Sequence, residues 1–79
     1  MKDRVKRVMG SVLGVPADAI VESSSPDTIA TWDSLRHMNL VMALEQEFGI
    51  RLSEDQIVEL LSCEIIVATV EEALTQSRA

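Results

Sequence analysis

The 79-residue chain carries 7 lysine and arginine side chains against 13 aspartates and glutamates, a net charge of −6 at pH 7, with 47% hydrophobic and only 3% aromatic residues. A chain this short is expected to fold as one domain, residues 1–79, around a modest core. The acidic balance argues against nucleic acid as a partner, whose phosphates would be repelled; the single cysteine, Cys63, excludes an internal disulfide, and Cys63 with His37 is too small a set of soft ligands for zinc.

No apolar run is long enough to cross a bilayer, so no membrane span is expected, and one free thiol fits a reducing, cytoplasmic setting. The opening MKDRVKRVMGSVLGVPADA has the basic start of a signal peptide, but Gly10, Ser11 and Gly14 interrupt its apolar stretch. Its apolar residues follow a helical period instead: Val5, Val8, Met9, Val12 and Leu13 form one stripe of a first helix, closed by Gly14 and Pro16. Lys2, Arg4, Lys6 and Arg7 crowd this helix, while Arg36, Arg51 and Arg78 are the only later bases, so the body of the chain is acidic. Such a body favours basic protein partners and salt-dependent association, or simply keeps a small domain soluble. From Val15 to about Trp32 the chain is rich in Ser, Asp and Pro, and SSSPDT is its most loop-like part. A connection this long is usually ordered or functional; Ile20, Ile29 and Trp32 are the candidates for pinning it to the core.

Asp33 or Ser34 begins the second helix, which ends near Phe48 with Gly49 as its stop. At about 100° per residue, Leu40, Val41, Leu44 and Phe48 share one face, the natural core stripe. Leu35, Met38 and Met42 share a second, roughly opposite face. Either this helix is buried on two sides or the second stripe receives a partner. A bundle this small has few elements to cover a helix twice, and methionines suit a surface that repacks against different partners. A docking face at the amino end of the second helix is therefore expected.

Ile50 and Leu52 read as an anchored linker. Ser53 followed by Gln56 has the form of a capping box and opens a short third helix carrying Ile57, Leu60 and Leu61. Thr69-Val70-Glu71-Glu72 repeats the capping pattern and predicts the start of a fourth helix, with Val70, Ala73 and Leu74 inward. Between them, Cys63 to Ala68 could pass for a strand, but a lone strand has no partner here, so a link or helical extension is expected. The sum is an all-α fold: a small four-helix bundle of three longer helices and a short third one, with a long loop between the first and second.

Ser34 has three chemical readings. It can cap the second helix, as Ser and Asp both do well. It can act as a nucleophile, but activation needs a base, and His37, the sole histidine, lies on the same helix with no evident third group or oxyanion hole. It can be a modification point, since a phosphate esterified at a helix amino end meets free N–H groups and the positive end of the dipole. Phosphorylation fits that physics as well as any larger group does.

The stretch WDSLRHMNLVMALEQEFGI closely resembles the modification segment of acyl carrier proteins: Asp33-Ser34-Leu35, an apolar helix, then LEQEFGI. The likeness extends over nearly the whole chain, through the long loop, LSEDQI at the third helix and ATVEEAL at the fourth. It implies that Ser34, flanked by Asp33 and Leu35, receives a 4′-phosphopantetheine group from coenzyme A through a phosphopantetheinyl transferase. The thiol of that arm would hold acyl groups as thioesters for acyl-loading and acyl-processing enzymes. The resemblance implies a carrier and not an enzyme, expected to be monomeric, with Leu35, Arg36, Met38, Asn39, Met42 and Glu45 as its partner-binding residues and a bundle interior that shelters part of the acyl chain. In one place the sequence departs from the pattern. Carriers of bacterial fatty acid synthesis tend to have acids where this chain has Arg36 and Asn39, although Asp33, Glu45 and Glu47 remain acidic. A basic partner groove would be repelled by Arg36, which points to a specialised pathway such as a polyketide, a modified lipid or a sugar decoration. An aminoacyl or peptidyl carrier of a nonribosomal pathway shares the same fold and arm, and an unmodified helical interaction module, with Ser34 only a cap, is the reading from a different class.

Overall fold

The computed structural model describes residues 2–76, in which the helices are α1 (Lys2–Leu13), α2 (Ser34–Phe48), α3 (Glu54–Glu59) and α4 (Cys63–Gln76). As the apolar spacing predicts, α1 buries Val5, Met9 and Leu13, with Val8 and Val12 packed at the core margin. Gly14 ends it at φ 71°, and Gly49 ends α2 at φ 64°; both angles lie in the left-handed region that costs glycine little and residues with a Cβ more. Helices α1 and α2 run antiparallel. Arg4 at the start of α1 meets Glu47 at the end of α2, while at the opposite end the Thr31 hydroxyl donates to the Leu13 carbonyl at 2.6 Å. The α2 core stripe of Leu40, Val41, Leu44 and Phe48 is buried as expected, and α4 closes the bundle with Cys63, Ile66, Val67, Val70 and Ala73.

The long connection is ordered because it completes other elements. It contains a short 3-10 turn, Ala17–Ala19, that periodicity did not reveal. Ile20 and Trp32 are buried and Ile29 packs against the core. The Ser24 side chain is buried and accepts a hydrogen bond from the Val21 N–H at 2.9 Å. The backbone carbonyls of Ser24 and Glu22 accept from the N–H groups of Cys63 at 3.0 Å and Glu64 at 2.9 Å. Those are donors of the first turn of α4, which have no partner inside their own helix. The loop thus acts as the amino-terminal cap of a helix about forty residues later in the chain.

Two local expectations change. Helix α4 begins at Cys63 rather than at Thr69, so of the link and the helical extension expected for Cys63 to Ala68 it is the extension that forms. Cys63, Ile66, Val67, Val70, Ala73 and Leu74 are spaced three and four apart and all face the core, so burial of one helical face overrides the strand preference of Ile65-Ile66-Val67. Ser62 takes the capping role expected of Thr69, accepting from the Ile65 N–H at 3.3 Å. At α3 the capping box forms as predicted, with Ser53 Oγ accepting from Gln56 N–H at 3.2 Å and Gln56 Oε1 accepting from Ser53 N–H at 2.8 Å. The helix stops at Glu59, however, so Leu60 and Leu61, expected on it, lie beyond its end, Leu60 turned into the core and Leu61 exposed.

Candidate functional site

The amino end of α2 is set by Asp33, not by Ser34. Asp33 has extended backbone angles, φ −102° and ψ −176°, and its Oδ1 accepts from the Arg36 N–H at 2.8 Å. Its carbonyl accepts from the His37 N–H at 2.8 Å. With Asp33 taking both cap positions, Ser34 becomes the first helical residue. Its side chain is exposed, and its hydroxyl has no hydrogen-bond partner among the described residues. The N–H groups of Ser34 and Leu35 stand in the first turn, where no carbonyl of the helix reaches them.

His37 cannot serve this hydroxyl as a base. The indole Nε1 of Trp32 donates to His37 Nδ1 at 2.9 Å, and His37 Nε2 lies 2.9 Å from the Ile57 carbonyl. Indole nitrogen only donates, so Nδ1 is the acceptor and Nε2 carries the proton that goes to Ile57. Both ring nitrogens are occupied. The rings of Trp32 and His37 also stack, with centroids 6.1 Å apart and planes 22° from parallel. This bridge ties together the end of the long loop, the first turn of α2 and α3, and its residues line the same groove as Ser34.

The expected second stripe on α2 exists. Leu35, Met38 and Met42 are 71%, 50% and 54% exposed, and Arg36 and Asn39 are exposed between them. Glu45 differs, because it is half-buried and its Oε2 accepts from the Leu52 N–H at 2.9 Å, pinning the Ile50–Leu52 linker. Sequence reasoning missed the other half of this apolar surface. Val58 and Leu61 of the α3 region are 68% and 57% exposed. They face Met38 across an open groove of ≈ 500 Å³ that reaches Ser34 and is walled by Trp32, His37 and Ile57. Val58 and Leu61 lie three apart, one residue out of step with Ile57 and Leu60, and that offset was the available signal. Cys63 lies apart from the site, buried at the start of α4, where burial raises its thiol pKa.

A family model described as the phosphopantetheine attachment site matches residues 3–70 of this chain. The acyl carrier protein of Zymomonas mobilis is 33% identical over 70 residues, covering 89% of this chain and 90% of that protein. The solution NMR structure of holo acyl carrier protein from Geobacter metallireducens superposes with a TM-score of 0.86, covering 96% of this chain and 87% of that one. Sequence identity to that structure is 24%, and the likeness there is one of fold.

Proposed function

We propose that Ser34 bears the 4′-phosphopantetheine arm of this chain, which belongs to the acyl carrier protein family. A member of this family is a carrier and not an enzyme, and the arm is covalently attached. The observation that carries the assignment to Ser34 is its exposed hydroxyl, relieved of capping by Asp33 and without a partner among the described residues. The site fits a phosphodiester. Attachment through Ser34 Oγ leaves the negative charge at the positive end of α2, beside the N–H groups of its first turn. When attached, the arm supplies a terminal thiol that holds an acyl group as a thioester. Asp33 holds the helix end in shape, and Leu35, Met38 and Met42, with Arg36 and Asn39, form the surface that a phosphopantetheinyl transferase and acyl-processing enzymes grip. Apolar burial of that stripe supplies affinity, while the charges around it select among partners.

The experiment is intact mass after incubation with coenzyme A, magnesium and a phosphopantetheinyl transferase. Wild-type chain gains one phosphopantetheinyl group; Ser34→Ala gains none and keeps its helical circular dichroism. Modification of Ser34→Ala, or of another residue in the wild type, would overturn the assignment.

The pathway we propose is a specialised one, with cargo of the simple acyl kind. Arg36 supports this, since a cation two residues from the attachment serine repels a partner groove built for an acid. Housekeeping fatty acid enzymes are expected to use the wild type poorly and to gain from Arg36→Glu. Equal use of both forms would refute the specialised reading while leaving Ser34 in place.

A further inference from the structure

The carboxylates that α2 and its cap bring to the surface are all engaged within the chain. Asp33 is held by the Arg36 N–H at 2.8 Å and the Arg36 guanidinium at 3.4 Å, Glu45 by the Leu52 N–H at 2.9 Å, and Glu47 by Arg4 at 3.0 Å. Arg4 is itself fixed over the Phe48 ring, 4.7 Å from its centroid. The chain's acidity lies elsewhere: from Glu54 to Gln76 there are six acids and no lysine or arginine. At the far end of α2 the balance reverses. Arg51 is exposed and has no ion-pair partner among the described residues. It borders an open groove of ≈ 450 Å³ lined by Met42, Glu45, Gln46, Gly49 and Ile50. Met42 belongs both to this groove and to the exposed stripe, so the two surfaces are continuous. Gly49 leaves the groove open, because even a Cβ at that position would meet nothing within 4 Å.

We propose that this groove is a second anchoring point for the enzymes that dock on α2, and that it takes an apolar side chain followed by a carboxylate. The proposal rests on Ser34 being the attachment residue. The apolar side chain packs on the exposed Met42, at the edge of the buried Ile50, and the carboxylate pairs with the Arg51 guanidinium, whose planar fork suits two-point contact. Glu45, which also lines the groove, has its Oε2 accepting from the Leu52 N–H and makes no ion pair with Arg51, so the guanidinium is left for the partner's carboxylate. A basic partner residue at this position would meet Arg51 as a like charge and be rejected. The groove lies about 20 Å from Ser34, given a rise of about 1.5 Å per residue along α2. It therefore lies clear of the hydroxyl and of the bond formed there, and it acts on recognition.

The test uses the full chain, coenzyme A and two phosphopantetheinyl transferases, one with carboxylates and one with lysines on its carrier-binding surface. With the first, Arg51→Glu is expected to raise KM roughly threefold to tenfold with kcat unchanged, the size expected when an exposed attraction becomes a repulsion. Arg51→Lys is expected to keep most of the wild-type value. With the second, Arg51→Glu lowers KM, and added salt shrinks both effects. The Arg51 side chain makes no hydrogen bond or ion pair among the described residues, so thermal unfolding of both variants should match the wild type. Equal KM for wild type and Arg51→Glu on both transferases at low salt, with Ser34 loaded, overturns the anchoring point alone. Failure of both transferases to load the wild type at Ser34 overturns the attachment assignment and the anchoring point with it.

Discussion

Asp33 and Ser34 are neighbours of similar capping ability, yet the structure gives them opposite roles, and a pair of alanine substitutions separates these. Asp33→Ala removes the carboxylate that accepts from the Arg36 N–H at 2.8 Å. Losing a side-chain cap costs about 1 kcal/mol, within a range of about 0.5–2. The same change removes a negative charge from the helix amino end, worth about 0.3–1 kcal/mol before screening. It also removes the Asp33–Arg36 ion pair, whose side chains are 55% and 44% exposed and whose contact is long at 3.4 Å, so that pair adds only a few tenths of a kcal/mol. The sum is roughly 1–2 kcal/mol. Since about 1 kcal/mol moves the midpoint of a domain this size by roughly 4–8 °C, the thermal midpoint should fall by about 4–16 °C. Ser34→Ala deletes a hydroxyl with no partner among the described residues and introduces a better helix former, so it should stay within about 0.5 kcal/mol of wild type. Urea and thermal unfolding followed by far-ultraviolet circular dichroism measure both. If Ser34→Ala proved as costly as Asp33→Ala, the hydroxyl would be doing structural work at the helix end. That hydroxyl would then not be free for modification.

The remaining predictions concern the surroundings of that helix end and the outer shell. His37→Ala leaves the Trp32 indole N–H and the Ile57 carbonyl without their shared partner; it should cost roughly 1–3 kcal/mol and shift the emission of Trp32, the only tryptophan, and unchanged fluorescence and stability would refute the bridge. Gly10→Ala would put a Cβ 2.7 Å from the Val15 carbonyl oxygen and 3.3 Å from the Ala17 nitrogen. Both are backbone atoms, so a strain of roughly 1–3 kcal/mol should offset or exceed the gain of about 1 kcal/mol in helix propensity, and clear stabilisation in urea unfolding would contradict this packing. The exposed Lys2–Glu22 pair is pH-dependent at both extremes. A hydrogen bond and then the charge of Lys2 hold the Glu22 carboxyl below its ordinary range, and the same two effects from Glu22 raise the Lys2 ammonium above its own. The Glu22 part of the stabilisation is present above that carboxyl's unfolded pKa and is lost as pH falls through the lower folded value. The Lys2 part is present below the unfolded ammonium pKa and is lost as pH rises through the higher folded value. The stability difference between wild type and Glu22→Gln should therefore be largest near neutrality, vanish in acid and alkali, and shrink with salt; a pH-independent difference would count against the pair.

Much of this protein was legible in one dimension. The three-and-four spacing of α1 and α2, the glycine stops and the Ser53–Gln56 box specify local structure through backbone sterics and nearest-turn contacts, which depend on little beyond neighbouring residues. The second stripe of Leu35, Met38 and Met42 was legible for the same reason: its residues recur at helical spacing on a face away from the core stripe. Other features depend on what lies far away in sequence. Cys63 to Ala68 became helix because a core was waiting for one face of it and because the carbonyls of Glu22 and Ser24 were in place to receive its first N–H groups. The occupation of His37 needed Trp32 and Ile57 on two other segments, and the engagement of Glu47 needed Arg4 from the start of the chain. Whether a side chain is free is not a property of its own position, because it is decided by which partners the tertiary packing brings within reach. That is how two adjacent capping residues came to divide, with the carboxylate of Asp33 bound to the backbone and the hydroxyl of Ser34 left to the solvent.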